Sequence, residues 1–369
     1  MIVEIKPLDT LFFRDGKPFS RGEETWADGV FPPYPSVLYG ALRTLFISNH
    51  AEPFSETSIK KSAEIKIKSI QYHIPYGNYL PMPLDLAEEK GKKAEKKNRE
   101  GDSKEYEVLS LSLHHTKGLV SSYSCEAVLM PPNGTTVEAV ENGLMHLDDL
   151  KQYLNTPETS FKIRRLEDFA QAEPKIGIGR DNFTNAASKA LLYRVGMRRA
   201  SEFEILINFE WPENENLLQQ QSFFSKLGAE NKIVTMGISL KGFNVHPNDV
   251  QLQPNRFKLY LSTPAIFENG WEPDLSKHGV QAKLVAAAVG KPVNIGGFDI
   301  KKGKPKTMYK AVPAGSVYFY ETSESPESIK EKLFGKAISE KMPEQGPGEP
   351  GFADQGFGIA YIGNWEPNK

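Results

Sequence analysis

The chain has 369 residues, enough for two domains that each bury a core, and its 39% hydrophobic and 25% charged content is typical of a soluble globular protein. Its formal net charge of −2 excludes the general basic excess of a protein that binds nucleic acid non-specifically, so any such contact must be local. A single cysteine, Cys125, excludes an internal disulfide and a thiolate-rich zinc site.

The first predicted elements are a strand and a helix. Residues 2–6 alternate well enough for a strand, which Gly, Pro and charged residues end before Phe31. The stretch PPYPSVLYGALRTLF, 32–46, predicts a helix that begins near Ser36, with Pro35 just before it and Ser36 capping its first turn. Its apolar residues recur every three to four positions and are expected to face a core: Val37, Leu38, Ala41, Leu42, Leu45 and Phe46.

The middle of the chain carries a polar insertion. The region from about 80 to 130 is irregular in pattern, and residues 88–107 mix lysines and acids with almost nothing apolar. This composition predicts a solvated, mobile segment. Contact between its lysines and a phosphate backbone is the alternative interpretation.

From residue 190 the pattern becomes regular. It predicts strands at 191–199 and 203–211, a helix at 216–228 and a strand at 232–240. Together with the first strand and helix this order is β-α-β-β-α-β, the ferredoxin-like arrangement, with a long insertion in its middle.

The last third repeats that order. It predicts a strand at 256–263, a helix at 325–337 opened by Ser325 and Pro326, a strand at 356–363, and a hairpin of 305–313 with 315–321 across Ala314 and Gly315. The sequence therefore predicts an α+β protein with two ferredoxin-like (RRM-like, βαββαβ) domains in tandem. The first spans 1–250, with an insertion at about 80–130, and the second spans 251–369.

The segment KIGIGRDNFTNAASKALLYRVGMRR, 175–199, is the first candidate for a nucleic-acid contact. On one strand Arg194 and Arg198 share a face and Arg199 takes the other. Ordinary exposed strand residues are the alternative interpretation. The segment interleaves phosphate-seeking cations with amide and aromatic groups able to read single-stranded bases: Arg180, Lys189, Arg194, Arg198 and Arg199 with Asn182, Phe183, Asn185 and Tyr193.

A glycine-rich loop near the C-terminus is the second candidate. Gly351, Gly356 and Gly358 surround Phe357 just before the last strand, so that backbone amides could approach a phosphate and the ring could stack on a base. The alternative is a plain turn with Phe357 in the core. The nearby GPGEPG, 346–351, matches a dinucleotide-binding pattern only formally, because its prolines oppose the helix that this pattern needs.

The sequence offers no motif that demands a reaction. His114 and His115 are the only close pair of histidines, and neighbours on a strand point to opposite faces. HExxH, GxSxG and P-loop motifs are absent, so we expect no catalytic residues, no metal and no other cofactor. MIVEIKPLDT lacks a signal-peptide pattern and no run of about 18 apolar residues occurs, so we expect a cytoplasmic protein without membrane contact.

Four stretches carry a resemblance to a known family. PLDTLFFRDGKPF (7–19), PPYPSVLYGALRT (32–44), IGIGRDNFT (176–184) with the following LYRVGMRR, and GGFD to KTMYKAVPAGSVYFY (296–320) resemble the Cmr subunit three family. These are Cas-five-like proteins of the RAMP superfamily in type III-B CRISPR effector complexes. The likeness runs over the whole chain and implies two ferredoxin-like domains.

The resemblance also implies a role. The family holds the 5′ tag of the CRISPR RNA, docks on the large polymerase-palm subunit beside a backbone RAMP subunit, and has no catalytic activity attributed to it. Two other functions remain open. One is a metal-independent RAMP endoribonuclease that processes precursor CRISPR RNA, and the other is a pure scaffold whose arginines are merely solvated.

The resemblance implies RNA-facing residues as well. Gly40 and Arg43 lie three apart and share a helix face, so the glycine would let an RNA backbone come close while Arg43 reaches a phosphate. In the family the matching helix lies beside the RNA-binding surface. By the same likeness Arg14, in the LFFRDG loop, is a further candidate, as are Arg180, Asn182 and the loop of Gly356, Phe357 and Gly358.

Overall fold

The fold is described from a computed structural model. It covers residues 1–14, 26–27, 29–50, 52–91, 104–115, 126–132, 134–156, 160–180, 183–184, 186–211, 222–241, 245–299, 303–342 and 349–366. Four α-helices occur in these ranges: α1 (Pro35–Asn49), α2 (Glu56–Lys61), α3 (Leu147–Asn155) and α4 (Pro326–Leu333). Short 3-10 helices cover Ser62–Glu64, Leu166–Asp168, Pro247–Asp249 and Leu275–His278.

Strands dominate both the N-terminal region, 1–250, and the C-terminal region, 251–369. The strands of the N-terminal region are β1 (Ile2–Pro7), β2 (Trp26–Ala27), β3 (Lys66–Ile74), β4 (Gly77–Pro81), β5 (Leu86–Glu89), β6 (Tyr106–Ser110), β7 (Ser112–His115), β8 (Ala127–Met130), β9 (Val137–Glu138), β10 (Gly143–His146), β11 (Ser160–Arg165), β12 (Ala170–Ala172), β13 (Lys175–Arg180), β14 (Ala187–Val195), β15 (Arg198–Ala200), β16 (Glu204–Glu210), β17 (Ser222–Lys226) and β18 (Ile233–Ile238). Those of the C-terminal region are β19 (Arg256–Leu261), β20 (Ala282–Ala288), β21 (Val293–Ile295), β22 (Phe298–Asp299), β23 (Lys304–Pro305), β24 (Tyr309–Ala311), β25 (Val317–Thr322), β26 (Lys336–Ala337) and β27 (Ile359–Gly363).

A large antiparallel sheet organises the N-terminal region. Its eleven strands lie in the order β17-β18-β1-β16-β3-β4-β10-β11-β6-β5-β9. The apolar stripe of α1 buries Leu38, Leu42 and Phe46 in one hydrophobic cluster with Ile5 of β1 and Ile207 of β16. Burial of such a stripe against a sheet supplies most of the stability of a helix of this length.

A smaller antiparallel sheet organises the C-terminal region and repeats part of that order. Its strands lie in the order β20-β25-β19-β27-β26. Four neighbouring strands of this sheet, β20-β25-β19-β27, are the second, third, first and fourth of that set along the chain. Four neighbouring strands of the larger sheet, β3-β16-β1-β18, are likewise the second, third, first and fourth of their own set.

Among the described residues, the helices of neither region complete the predicted βαββαβ order. In the N-terminal region α1 connects β1 to β3, but the described residues between β16 and β18 include the strand β17. In the C-terminal region α4 lies between β25 and β27, but only the 3-10 helix Leu275–His278 lies among the described residues between β19 and β20. The structure is thus a mixed α and β fold with a large antiparallel sheet and few helices.

Several single elements are confirmed. The predicted strands at β1, β16, β18, β19 and β27 are present, and α4 begins after Ser325, whose hydroxyl accepts a hydrogen bond from the Ser328 amide at 3.3 Å. Helix α1 begins one residue before the predicted position, at Pro35. Its N-cap is Tyr34 with no side-chain hydrogen bond, so Ser36 is not the cap.

Two predicted elements are wrong. Residues 222–226 of the predicted helix 216–228 form β17, because they pair with β18 at the edge of the sheet, and residues 216–221 lie outside the described residues. The predicted hairpin across Ala314 and Gly315 does not form, because β24 pairs with β21 while β25 pairs with β19 and β20.

The region from 80 to 130, expected to be irregular, contains strands that extend the large sheet. Glu88 of β5 is buried and forms an ion pair with Arg165, and β6 pairs with β11. Residues 92–103 of the charged segment lie outside the described residues. The predicted solvated insertion is therefore wrong at both of its ends, where strands pair.

A buried polar cluster joins the two regions. The Tyr153 hydroxyl donates to the carboxylate of Asp85 at 2.8 Å from either oxygen, and Lys258 Nζ lies 3.3 Å from the centroid of the Tyr153 ring. Burial lowers the pKa of Lys258 to about 8, although the nearby Asp85 carboxylate opposes this shift. Burial also raises the pKa of Asp85, with Lys258 and Tyr153 opposing. Lys258 thus faces the Tyr153 ring and the Asp85 charge only while the two regions stay together.

Backbone contacts seal the same junction. The Asn364 amide donates to the Leu154 carbonyl at 2.7 Å, and the Leu84 amide donates to the Gly315 carbonyl at 2.8 Å.

Across the described ranges, no helix has the length and apolar content needed to cross a membrane.

Candidate nucleic-acid interface

Most of the predicted arginines belong to one small group of strands, here called the arginine unit. It consists of the sheet β13-β14-β2, which holds Arg180 and Arg194, the sheet β12-β15, which holds Arg198 and Arg199, and the isolated bridge between Arg14 and Gly29. Arg14 pairs with Gly29, Arg194 lies opposite Trp26, and Arg198 pairs with Leu11. Residues far apart in the sequence are thereby brought together.

Arg194 and Arg198 do not share one strand, contrary to the prediction. The extended strand is interrupted between β14 and β15, where the Met197 amide donates to the Val195 carbonyl at 3.0 Å. Arg194 then pairs within β13-β14-β2, whereas Arg198 exchanges backbone hydrogen bonds of 2.8 and 2.9 Å with Leu11. The period-two argument fails here because it holds only along an unbroken strand.

A small apolar cluster holds this break in place. Phe12 packs against Val195 and Met197, and the Thr10 hydroxyl lies 3.4 Å from the Met197 sulfur. The Arg198 guanidinium donates to the Ala170 carbonyl at 3.4 Å. The arginine unit is therefore anchored by packing and backbone bonds, while the Arg14 side chain remains exposed.

Arg199 differs from its neighbour. Its guanidinium binds the Glu173 carboxylate through two hydrogen bonds and lies 3.6 Å from Asp9. This partnership lowers the pKa of Glu173 and raises the pKa of Arg199. Its charge is thus already balanced by carboxylates.

Arg180 lies at the end of β13, the strand that leads towards β14. Arg180 is the last residue of β13 and lies opposite Ala187, after a register irregularity. Asn182 lies outside the described residues, as does Asn185.

Sequence reasoning named Phe183 but missed the exposed isoleucines of the β13-β14 hairpin. Ile176 and Ile178 are 70% and 58% exposed, and Phe183 near the tip is 95% exposed. Because they are two apart on β13, the two isoleucines share one face. The alternation in KIGIGR was the available signal, but alternation alone does not tell a buried face from an exposed one.

The Arg43 guanidinium forms hydrogen bonds within the protein. Its Nε donates to the Ser62 hydroxyl at 3.0 Å and its Nη2 to the Ile59 carbonyl at 3.4 Å, which ties α1 to the next helical segment. Tyr39 on the same side donates to the Ala63 carbonyl at 3.1 Å. Burial raises the pKa of Tyr39 to about 12, with Arg43 lowering it and Asp354 raising it. Asp354 therefore lies within electrostatic reach of this helix face.

Gly40 presents open backbone. It is exposed, and nothing lies within 4 Å of the point where a Cβ atom would stand. Packing does not require glycine at this position, which leaves room for a ligand to approach the helix backbone.

The glycine-rich loop has a different role from the one expected of its ring. Phe357 is fully buried and packs against Phe352, so it cannot stack on a base, and the alternative that placed it in the core is confirmed. Gly356 has φ +88°, and a Cβ there would stand 2.7 Å from Ile67 Cγ2. Gly358 has φ +74°, and a Cβ there would stand 2.8 Å from the Ser339 amide nitrogen. Close packing and positive φ explain both glycines, while their contact with RNA stays a prediction.

The histidine pair lies on β7, where His114 is opposite Val128 and His115 is opposite Ala127. His115 is exposed and His114 is half-buried, as alternate faces of a strand require. Within the described ranges, no group of three or more His, Cys, Asp or Glu side chains is placed to hold a metal ion.

Comparison with known families gives a match over almost the whole chain. Residues 3–365 match the family model described as "CRISPR-associated protein (Cas_Cmr3)". The chain belongs to the Cas_Cmr3 family. This membership confirms the resemblance seen in the sequence, and no curated protein matches the chain.

Three chains of solved structures are similar to this one to different degrees. A chain of the "Cryo-EM structure of the Type III-B Cmr-beta bound to cognate target RNA and AMPPnP, state 1" has a TM-score of 0.51 at 16% identity, over 86% of both chains. A chain of the Type III-B Cmr-beta structure bound to cognate target RNA has a TM-score of 0.49 at 16% identity, also over 86% of both. A chain of the Csm3-Csm4 subcomplex of the type III-A interference complex has a TM-score of 0.35 at 12% identity, over 88% of this chain and 94% of that one. The first likeness is one of fold.

Proposed function

We propose that this chain is a non-catalytic RNA-binding subunit of a type III-B CRISPR effector complex. In this role it holds the 5′ tag of the CRISPR RNA, docks on the large polymerase-palm subunit and lies beside a backbone RAMP subunit in the cytoplasm. Membership of the Cas_Cmr3 family over residues 3–365 is the observation that carries the proposal. The Cmr-beta relative with the shared fold was solved with cognate target RNA, which supports an RNA partner.

The arginine unit is the proposed tag-binding surface. It brings Arg14, Arg194 and Arg198 to neighbouring positions, and guanidinium groups form strong charge-assisted hydrogen bonds with phosphate oxygens. Exposed Phe183 offers a ring on which a single-stranded base could stack. Arg180, the last residue of β13, and Asn182 are proposed as further contacts.

The open face of α1 is proposed to meet the RNA backbone. Gly40 leaves space for close approach, and Arg43, three residues later, would share its guanidinium between Ser62 and a phosphate. The backbone amides of Gly356 and Gly358 are proposed contacts as well.

We also propose that the two regions are separate ferredoxin-like domains, residues 1–250 and 251–369. The shared strand order of the two sheets supports this interpretation. In this view the described residues of each domain contain one of the two helices of the βαββαβ unit.

RNA binding tests the proposal directly. Fluorescent CRISPR RNA with and without its 5′ tag is titrated with the chain alone and with the large subunit, and the RNA is checked for cleavage on a gel. Tag-dependent binding without cleavage is expected. Binding that ignores the tag would contradict the tag-holding role, and cleavage within the repeat would favour the endoribonuclease, to be tested with H114A and H115A.

Matched variants locate the surface. R14A and R198A should each weaken tag binding about tenfold, since a hydrogen bond to a charged group contributes roughly 1.5–3 kcal/mol. R199A is the control, because this adjacent exposed arginine is already paired with Glu173 and Asp9. Equal losses in R198A and R199A would remove Arg198 from the site.

A further inference from the structure

The C-terminal region carries a hairpin that pairs only with itself. In β21 and β24, Val293 lies opposite Ala311 and Ile295 opposite Tyr309, and β22 continues the hairpin against β23. Both pairs form separate two-stranded sheets in the described structure. We call the described residues 291–299 and 303–311 the lysine arm.

The arm is strongly basic. The sequence from 291 to 311, KPVNIGGFDIKKGKPKTMYKA, contains six lysines and one acid, Asp299. Lys291, Lys304, Lys306 and Lys310 are exposed, and their side chains make no ion pair or hydrogen bond with the residues that the structure describes. Some lysines elsewhere are paired: Lys6, Lys232 and Lys277, for example, each lie within 3.1 Å of a carboxylate. The arm therefore presents four cations that no described residue neutralises.

The two faces of the arm separate packing from charge. Ile295 and Ala311 are buried in a hydrophobic cluster with Phe352 and Phe357, against which Tyr34 and Tyr309 also pack. Residues on alternate positions point the other way. Lys310 lies opposite Asn294 on that second face.

The same cluster places the arm beside the proposed RNA surface. Tyr34 immediately precedes α1, and Gly40 is six residues further on, about 9 Å along the helix at 1.5 Å per residue. The ring centroids of Phe352 and Tyr309 lie 5.2 Å apart. Asp354, two residues after Phe352, lies within electrostatic reach of Tyr39, which is beside Arg43. The base of the arm and the open face of α1 thus share one loop as their support.

We propose that the lysine arm binds the phosphate backbone of single-stranded RNA, as an extension of the surface formed by α1. This inference rests on the proposed RNA-binding function and adds residues to it. The chemistry of the arm favours RNA over a protein partner, because protein interfaces are depleted in lysine at their core and enriched in aromatic residues. Phosphate contacts, in contrast, are commonly made by lysine and need no apolar surface.

Salt dependence measures the contribution of the arm. The variant K291Q/K304Q/K306Q/K310Q is compared with wild type by titrating fluorescent single-stranded CRISPR RNA at 50 to 300 mM salt, with the large subunit present. Each phosphate contact adds about 0.7 to the slope of log K against log salt for a single strand. We expect the slope to fall by up to about 2.8, since four cations are lost.

The matched control is K66Q/K90Q/K226Q/K336Q. It removes the same charge from four exposed lysines outside the arm, three of them on β3, β17 and β26 and one directly after β5. Its slope should change by less than about 0.7, the value of one contact. Equal changes in the two variants would overturn the proposal, because net charge rather than the arm would then explain the loss.

The remaining outcomes separate this proposal from the proposed function. If the wild-type protein binds no RNA, the proposed function and the arm proposal fail together. If wild type binds RNA and the arm variant keeps the wild-type slope, only the arm proposal fails. If the arm variant keeps that slope but no longer copurifies with the large subunit, the arm is a protein contact and the proposal is overturned.

Discussion

The two regions of the molecule share an order of four strands but keep different helices. In the N-terminal region α1 joins the first and second of these strands, and the third and fourth are connected through β17. In the C-terminal region the opposite connection holds α4, and the first is made through the 3-10 helix Leu275–His278. The two regions therefore share the order of their strands and differ in the position of their helices.

The difference shows what a crossover helix contributes. Where the C-terminal region lacks one, irregular residues such as Ala265, Phe267 and Leu275 are buried in the main hydrophobic cluster and cover the sheet instead. Covering apolar surface is the requirement, and a helix is one of several ways to meet it.

The largest effect is expected where the regions meet. D85A should lower the free energy of unfolding by about 3–5 kcal/mol, because it leaves Lys258 buried without its counter-charge and Tyr153 without its acceptor. Urea unfolding of the full chain measures this. D85N, which keeps a hydrogen-bonding side chain, serves as the control and should lose less. A loss below about 1 kcal/mol in D85A would mean that the junction does not depend on this cluster.

Glycines sharpen the contrast between the regions. G356A should cost about 2–4 kcal/mol, because the backbone has φ +88° and Ile67 stands in the way of a Cβ. G40A should instead stabilise α1 by roughly 0.5–1 kcal/mol, because its position is open and helical. Thermal unfolding of both variants provides the comparison. Stabilisation of G40A with weaker RNA binding would support close approach at α1, whereas unchanged binding would argue against it.

The pH dependence of stability isolates Lys258. The pKa of Lys258 is lowered from 10.5 to about 8 in the folded chain. Between these values the unfolded chain binds more protons, so this group makes the free energy of unfolding rise with pH, by at most about 1.4 kcal/mol per unit. Below pH 8 its unfavourable contribution is fully present. Urea unfolding at pH 7.5, 8.5 and 9.5 should show this rise in wild type and a flatter profile in K258M, and identical profiles would refute the assignment.

Helix caps give the smallest expected effect. S325A should cost about 1 kcal/mol, because its hydroxyl accepts the Ser328 amide at the start of α4. S36A should stay within about 0.5 kcal/mol, because α1 has no side-chain cap. Thermal unfolding of the two variants tests the pair. A larger loss in S36A than in S325A would show that the ends of the two helices have been assigned the wrong roles.

Local patterns predicted much of the fold. The strand β16 and the helix α1 follow from alternation and from a stripe at helical spacing, which are properties of the segments themselves. The strand β17 could not be predicted in the same way. Its Phe223 and Phe224 fit a helical pattern as well as an extended one, and pairing with β18 decides between them.

The candidate site was harder to predict than the fold. The sequence identified Arg14 and Arg198 as candidates, but not that Leu11 and Arg198 pair across more than 180 residues. The burial of Phe357 depends on Phe352 and on Ile266, which is distant in the chain. The sequence likewise gave no sign that Glu173 already balances Arg199. Partners of this kind are set by tertiary contacts.

The position of β1 has a consequence for synthesis of the protein. Ile2 pairs with Asn208 and Val3 with Ile238, so β1 lies between two strands that are translated more than 200 residues later. At about 5–20 residues per second, a ribosome would need roughly 10–50 s to supply both neighbours. Throughout that interval the first strand of the nascent chain has neither edge paired, which makes it a natural client for chaperones that cover apolar strands as they leave the ribosome.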